Sequence, residues 1–309
     1  MTTTETPFST PVLLLLFNRP QHTRAVLARL REVRPMRVFV HCDGPRQSVA
    51  NEAEKVADVR AEIAKIDWPC EVKTLYREQN AGLRAGVSGA LDWFFEQVER
   101  GIVLEDDCLP DRSFFPFCEE MLERYAQEER VMHIGGSNVA QRLTRSFAES
   151  YFFSQFTFVW GWASWRRAWQ KMALNLDGLE DFVAQKQLQS LTPDPLAQAY
   201  LLEKFRATRA GENNSWAYAW AYSVLKNNGL SIVPRLNLVQ NTGIGEAGAT
   251  HTKEADKKAD IRASSLQFPL MHPARVEWPK GLDKEIFYAS QKSRSRLTLW
   301  FLLKKFGLR

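Results

Sequence analysis

The sequence predicts an α/β fold, with a mostly parallel sheet and helices on both of its faces. Short apolar runs alternate with longer stretches of helical periodicity over residues 11–107. Continuous apolar runs are typical of strands buried on both faces, and this alternation is typical of βαβ units. The predicted strands are residues 11–17, 36–44, 70–78 and 101–107.

The predicted helices between these strands carry apolar stripes. In the first helix, Val26, Leu30 and Val33 recur at helical spacing. The three helices are residues 17–33, 49–66 and 85–100. Further on, residues 151–169 are dense in aromatic side chains and residues 194–210 are helical in pattern. No repeat and no Pro/Gly/Ser linker divides the chain, so we expect one compact unit.

The composition is that of a globular protein with a large core: 309 residues, 45% hydrophobic and 25% charged, with a net charge of +5. This mild basic excess fits an anionic small ligand or a membrane surface. The charge is diffuse and no nucleic-acid motif is present, so we expect no nucleic-acid partner. Four cysteines without a C-x-x-C pair predict free thiols. There is no signal-peptide pattern, and the longest apolar run is about a third of a membrane span, so we expect a cytoplasmic protein.

Polar residues follow each predicted strand, where α/β sheets bind their ligands. They are Asn18 with Arg19, Asp43 with Gly44, Asn80, and the acidic run Glu105, Asp106 and Asp107. Carboxylate oxygens suit hard divalent ions such as Mg²⁺ or Mn²⁺, and such an ion neutralises a leaving diphosphate. The alternative is a solvated turn that precedes a helix capped by Asp111.

The segment GIVLEDDCLPDRSFF resembles the DxD-type motif of GT-A glycosyltransferases. The resemblance is to the N-acetylglucosaminyltransferase I type and to bacterial hemolytic-protein-like glycosyltransferases, and it covers residues 10–255. The other matches, in their order along the chain, are PVLLLLFNRP, HCDG and QNAGLRAGVSGAL before this segment, and GWASWRRAW and SWAYAWAYSVLKNNGLSIVPRLNLVQNTGIG after it. The resemblance implies a GT-A fold with a donor-binding half at 8–140, an acceptor half at 141–260 and a C-terminal tail at 261–309.

It also implies roles for particular residues. Asp107 would hold the metal ion, Mn²⁺ or Mg²⁺, and His251 would complete its shell from a flexible loop. The donor nucleotide sugar would contact Asn18, Arg19, Asp43, Asn80, Arg84, Glu105 and Asp106. Each of four residues also has a structural alternative. Arg19 could pair with a local acid, and Asp43 could belong to an ordinary turn. Arg84 could be a solvated helix residue, and His251 an exposed loop residue.

The acceptor half departs from the resembled family at the catalytic base. The family carries an acidic pair flanked by tryptophan, whereas this chain has alanines at 217 and 219 between Trp216 and Trp220. Glu212 is the nearest carboxylate and our candidate base, with Glu246 as another. A retaining mechanism, a base from elsewhere or a binding-only protein would also fit this absence.

Aromatic side chains stack on sugar rings, and Gly161-Trp162 matches the resembled family's loop near the acceptor, so Trp162 is a predicted acceptor contact, with core packing as the alternative. Asn138 is a second predicted contact, because the run Gly135-Gly136-Ser137-Asn138 resembles a family loop beside the acceptor site. The basic amphipathic helix predicted at 293–309 could lie on an anionic membrane or dock on protein.

We therefore expect a metal-dependent transferase that moves a sugar, GlcNAc in the resembled type, from a UDP-sugar to a glycan or lipid-linked acceptor, as in the synthesis of cell-surface polysaccharides. A sugar-nucleotide pyrophosphorylase would need a glycine-rich basic loop after the first strand, and FNRPQHTR has no glycine. The remaining alternative is an inactive protein that binds glycans or nucleotide sugars.

Overall fold

A sheet of eight strands organises the part of the chain that the computed structural model describes, which is residues 8–191, 194–244, 261–290 and 298. The first half alternates strands and helices as predicted. Its elements are β1 (Val12–Leu16), α1 (Pro20–Val33), β2 (Arg37–Cys42), α2 (Glu52–Ile63), β3 (Glu71–Tyr76), α3 (Leu83–Gln97), β4 (Arg100–Glu105), β5 (Cys108–Pro110) and α4 (Phe114–Arg124).

The second half has shorter and more irregular elements. They are β6 (Val131–Gly135), α5 (Gln141–Thr144), β7 (Tyr151–Ser154), β8 (Trp162–Trp165), α6 (Arg166–Trp169), α7 (Leu179–Ala184), α8 (Gln187–Leu191), α9 (Pro195–Arg209), α10 (Trp216–Lys226), β9 (Leu230–Pro234), β10 (Val239–Asn241) and α11 (Lys280–Ser290). The helix predicted at 194–210 is α9, and the Asp194 side chain caps it by accepting the Leu196 and Ala197 amides.

The strand order is β3-β2-β1-β4-β8-β6-β9-β7. The pairs among β3, β2, β1 and β4 are parallel, and β6 pairs in parallel with β9. Strand β8 is antiparallel to both β4 and β6, and β7 is antiparallel to β9. Six strands therefore share one direction, which confirms the predicted mostly parallel α/β sheet.

Both faces of the sheet are covered because side chains alternate along its strands. Val12, Leu14 and Leu16 of β1 pack in a cluster with apolar residues of α1, α2 and α4. Leu13 and Leu15 pack on the opposite face with residues of α3 and α10. This alternation explains why β1 is apolar at every position. Strand β3 differs, because it lies at the sheet edge and all six of its residues are at least partly exposed.

Four tryptophans from the second half form a buried cluster against α3. Trp162 lies 5.7 Å from Trp216 and 6.0 Å from Trp220 between ring centroids, and Trp169 lies 5.3 Å from Trp220. Trp169 also stacks on Phe95 of α3 at 6.2 Å. We call these four side chains the tryptophan cluster. It joins the two halves into one core.

The helix α11 closes the far end of the sheet. Its Asp283 accepts hydrogen bonds from the hydroxyl of Ser154, the last residue of β7, at 2.6 Å and from the amide of Gln155, the next residue, at 2.9 Å. Ile286 and Phe287 are buried in apolar clusters beside it. The basic segment predicted at 293–309 lies outside the described residues, apart from position 298. Within the described chain, no helix has the length and apolar composition needed to span a membrane.

Candidate functional site

The carboxyl ends of β2, β1 and β4 lie side by side because these strands are neighbours and parallel. Leu16 is in register with Cys42, and Leu15 is in register with Glu105. The residues that follow the three strands therefore reach one edge of the sheet. This is the edge where open α/β sheets bind ligands.

Arg19 and the acidic run meet at this edge. The Arg19 Nη1 donates to Asp107 Oδ2 at 3.0 Å and to Asp106 Oδ1 at 3.3 Å. The side chains of Asp106 and Asp107 are only 10% and 18% exposed. The acidic run is therefore not a solvated turn. Arg19 makes the local ion pair that was its predicted alternative, with Asp106 and Asp107 as the acids.

Burial and neighbouring carboxylates raise the pKa values of Glu105 and Asp106. Burial, with the charges of Asp107 and Asp106, raises the pKa of Glu105 to about 8. Burial and the charge of Asp107 raise the pKa of Asp106 to about 7, although Arg19 acts in the opposite direction. Burial lowers the pKa of Arg19, but the two aspartates outweigh it and the pKa is raised overall. The cluster therefore favours the arrival of further positive charge.

Asp107 is fixed by the second, two-stranded sheet. Strand β5 begins at the next residue and pairs with β10, and the Thr242 amide donates to the Asp107 carbonyl at 2.8 Å. Gly243 lies so close that a Cβ there would be 2.4 Å from Asp107 Oδ2. The segment after β10 therefore begins directly against this carboxylate.

Asp43 closes the loop between β3 and α3. Its Oδ1 accepts the Gly44 amide at 2.9 Å and the Ala81 amide at 3.0 Å. Asn80 donates to the Gly44 carbonyl at 2.9 Å and accepts the Gly82 amide. Asp43 and Asn80 thus stand together at the edge, as predicted, and their first role there is to shape two adjoining loops.

Asn18 faces a glutamate that the sequence did not single out. Its amide donates to Glu52 Oε1 at 2.8 Å, and Glu52 also binds Arg46. Acidic residues are common in the first turn of a helix, so position 52 gave no signal of burial. The sequence signal that could have identified Arg46 is its position, since it is a basic residue three positions after Asp43 of HCDG.

The contacts of Arg84 and the surroundings of Glu212 do not include the acidic run. Arg84 binds the carbonyl of Leu174 and donates to the Thr208 carbonyl at 3.3 Å, so it joins α3 to the second half. Glu212 is exposed and lines a surface concavity of about 450 Å³ with residues of α9. Donor contact for Arg84 and proton transfer by Glu212 stay predictions.

The two predicted acceptor residues are buried. Trp162 is in the tryptophan cluster and is 0% exposed. Asn138 is also 0% exposed, and its amide donates to the Thr144 hydroxyl and the Pro234 carbonyl. These contacts give both residues a structural role. A contact with an acceptor stays a prediction for each, and it would require the surrounding chain to move.

His251 and Glu246 lie outside the described residues. Among the residues that are described, no group of three His, Cys, Asp or Glu side chains is arranged to hold a metal ion. Mg²⁺-type sites often take only one or two protein carboxylates and complete the shell with phosphate and water. Asp107, with Asp106 beside it, fits that kind of site.

Comparisons with known proteins assign no family to the chain. No family model and no curated protein matches it. Mouse xyloside xylosyltransferase 1 in its apo form has a TM-score of 0.34 and 12% identity, over 71% of this chain and 82% of that one.

Two further solved structures are matched over less than two thirds of their own length. HddC from Yersinia pseudotuberculosis, complexed with GMP-PN, has a TM-score of 0.28 and 12% identity, over 47% of this chain and 59% of that one. An apo UDP-glucose pyrophosphorylase has a TM-score of 0.25 and 11% identity, over 48% and 65%. Likenesses this distant carry no argument about activity.

Proposed function

We propose that this protein is a glycosyltransferase that moves a sugar from a nucleotide-diphosphate donor, UDP-linked by the resemblance, to a glycan or lipid-linked acceptor. One observation carries the proposal. Arg19 after β1 contacts Asp106 and Asp107 after β4, at the ligand-binding edge of a mostly parallel sheet. Carboxylates that bind a cation and a guanidinium that donates to phosphate are both common partners of a diphosphate, and this edge supplies both.

A divalent cation is part of the proposal because the carboxylates are crowded. The raised pKa values of Glu105 and Asp106 indicate that their charged forms are disfavoured by burial and by the charge of Asp107. Asp107 would hold the ion, with Asp106 as the second oxygen source. When bound, the ion supplies positive charge to the oxygens of the departing diphosphate.

The chain's own residues would orient the donor and stabilise the leaving group. Arg19 is close enough to the carboxylates to donate to phosphate oxygens beside them, and such preorganised donors lower the barrier as charge develops. Asp43, on the next strand end, would accept the ring N–H of the base. Holding the donor and the acceptor in line would supply the remaining part of the rate enhancement.

An inactive nucleotide-sugar-binding protein is the second candidate, and one observation favours it. The stretch that matches the family's acidic pair lies in α10, where Trp216, Ala219 and Trp220 are buried. That stretch is core in this chain and carries no carboxylate. Release of UDP from a UDP-sugar with Mn²⁺ and an acceptor panel distinguishes the enzyme from the binding protein.

Asp107→Asn tests the donor site directly. We expect it to weaken Mn²⁺-dependent UDP binding at least tenfold, because the substitution removes a charged oxygen ligand while keeping the shape. Isothermal titration calorimetry with and without Mn²⁺ measures the effect. Asp58→Asn, on the exposed side of α2, is the matched control. Equal affinities for the wild type and Asp107→Asn would refute the metal role.

A further inference from the structure

A buried carboxylate organises the loop after β2. Glu52 is 1% exposed, and its two oxygens accept from the Arg46 amide at 2.7 Å, the Arg46 Nε at 2.9 Å and the Asn18 amide at 2.8 Å. The hydrogen bonds from Arg46 are the largest cause of a lowered pKa for Glu52. The carboxylate is therefore charged at neutral pH and fully engaged by these two residues.

The Glu52 carboxylate binds one side of the Arg46 guanidinium. Nε and Nη2 of Arg46 bind Glu52, and the guanidinium carbon lies 5.4 Å from the centre of the Phe17 ring. Half of the Arg46 side chain is exposed. A guanidinium has five N–H donors, and Nη1 has no acceptor among the residues that the structure describes. The free donors are thus fixed in position and open to a ligand.

The guanidinium belongs to the edge that carries the candidate site. Phe17 and Asn18 follow β1, immediately before Arg19, and Arg46 lies three residues after Asp43 of the β2 end. Because Glu52 neutralises Arg46, the pair offers directed N–H donation rather than net charge. Such donors suit uncharged carbonyl or hydroxyl oxygens, whereas Arg19 and the acidic run suit the diphosphate.

We infer that Arg46 recognises the nucleoside part of the donor, with its outer N–H groups donating to carbonyl oxygens of a uracil-type base, and that Glu52 and Asn18 are its positioning residues. A uracil edge presents an N–H between two carbonyls, which matches the acceptor Asp43 together with the donor Arg46. The inference rests on the proposed function, because it assumes that a nucleotide binds at this edge.

The experiment compares the affinities of uridine, UMP and UDP by calorimetry. Arg46→Ala should weaken all three by the same factor, about tenfold or more, because each contains the same base. It should also reduce the preference for UDP over CDP, whose base presents an acceptor in place of the N–H. Arg46→Lys keeps the charge but loses the planar donor fork, so it should behave like Arg46→Ala. Arg19→Ala should weaken UDP and leave uridine unchanged.

Arg130→Ala is the matched control. Arg130 also makes a two-pronged contact with a glutamate, Glu128, but it lies at the amino end of β6, the opposite edge of the sheet. Circular dichroism confirms that each variant is folded. If the wild type binds the nucleotides and both Arg46→Ala and Arg46→Lys bind them equally well, the inference is overturned and the proposed function is not. A wild type that binds none of the nucleotides overturns the proposed function and the inference with it.

Discussion

Individual side chains at the sheet edge are held by contacts that leave little free space. Gly243 shows this best, since a Cβ at that position would fall 2.4 Å from the Asp107 carboxylate. The atom it meets is the end of a side chain, so the fold can accommodate a methyl group by moving the carboxylate. The cost then appears in ligand binding rather than in stability.

Gly243→Ala should therefore weaken Mn²⁺-dependent UDP binding about tenfold, with a change of no more than a few degrees in the melting temperature. The displaced Asp107 oxygen would no longer present the same geometry to the ion. Gly281→Ala, where a Cβ meets nothing within 4 Å, is the control. A Gly243→Ala protein with wild-type affinity would contradict the expected displacement of an ion-binding carboxylate.

Residue roles at the edge were only partly predictable. The acidic run, Arg19 and Asp43 stand out because a buried strand followed by charges is unusual. Arg46 and Glu52 do not, because their pairing depends on how α2 returns towards β1. Trp162 was predicted as an acceptor contact, with core packing as the alternative, and its burial follows from a register with Val103 that local spacing does not reveal.

At the scale of elements, α11 is attached through a buried acid. Asp283 is 5% exposed, and burial raises its pKa to about 6 even though Ser154 and Gln155 donate to it. No cation pairs with it among the residues described. The folded state therefore retains a proton that the unfolded state releases at lower pH, so this stabilisation is complete below pH 4 and is lost as the pH rises through 6.

Asp283→Asn removes this titration while keeping the shape of the side chain. The free energy of unfolding of the variant, relative to the wild type, should increase by about 1.4 kcal/mol between pH 5 and pH 7.5. Urea unfolding at the two pH values measures it. A difference between the two proteins that stays constant with pH would mean that Asp283 does not titrate in this range.

The regular elements of the first half follow from local pattern. Strand β1 and helix α3 have apolar residues at the spacing of their type, and the structure confirms both. The short elements between 131 and 191 do not, because aromatic residues such as Phe153 and Trp165 suit strand, helix and loop alike. Long-range packing decides which of these states each segment adopts, and the local sequence pattern does not reveal that packing.

At the scale of the whole molecule, the basic segment 293–309 predicts a peripheral membrane contact. Its apolar side chains and its cluster of lysines and arginines suit an anionic surface.

Deleting residues 293–309 should abolish co-sedimentation with vesicles that contain phosphatidylserine. Neither form should sediment with phosphatidylcholine alone, which serves as the control. Equal sedimentation of the full chain and the shortened chain would exclude a membrane role for this segment.

The tryptophan cluster gives the protein an intrinsic optical reporter. Four indoles with centroids 5.3–6.4 Å apart sit where α3 meets the second half, so their emission responds when water enters that junction. These four are among ten tryptophans in the chain, so separation of the two halves changes part of the protein's fluorescence, without any added dye.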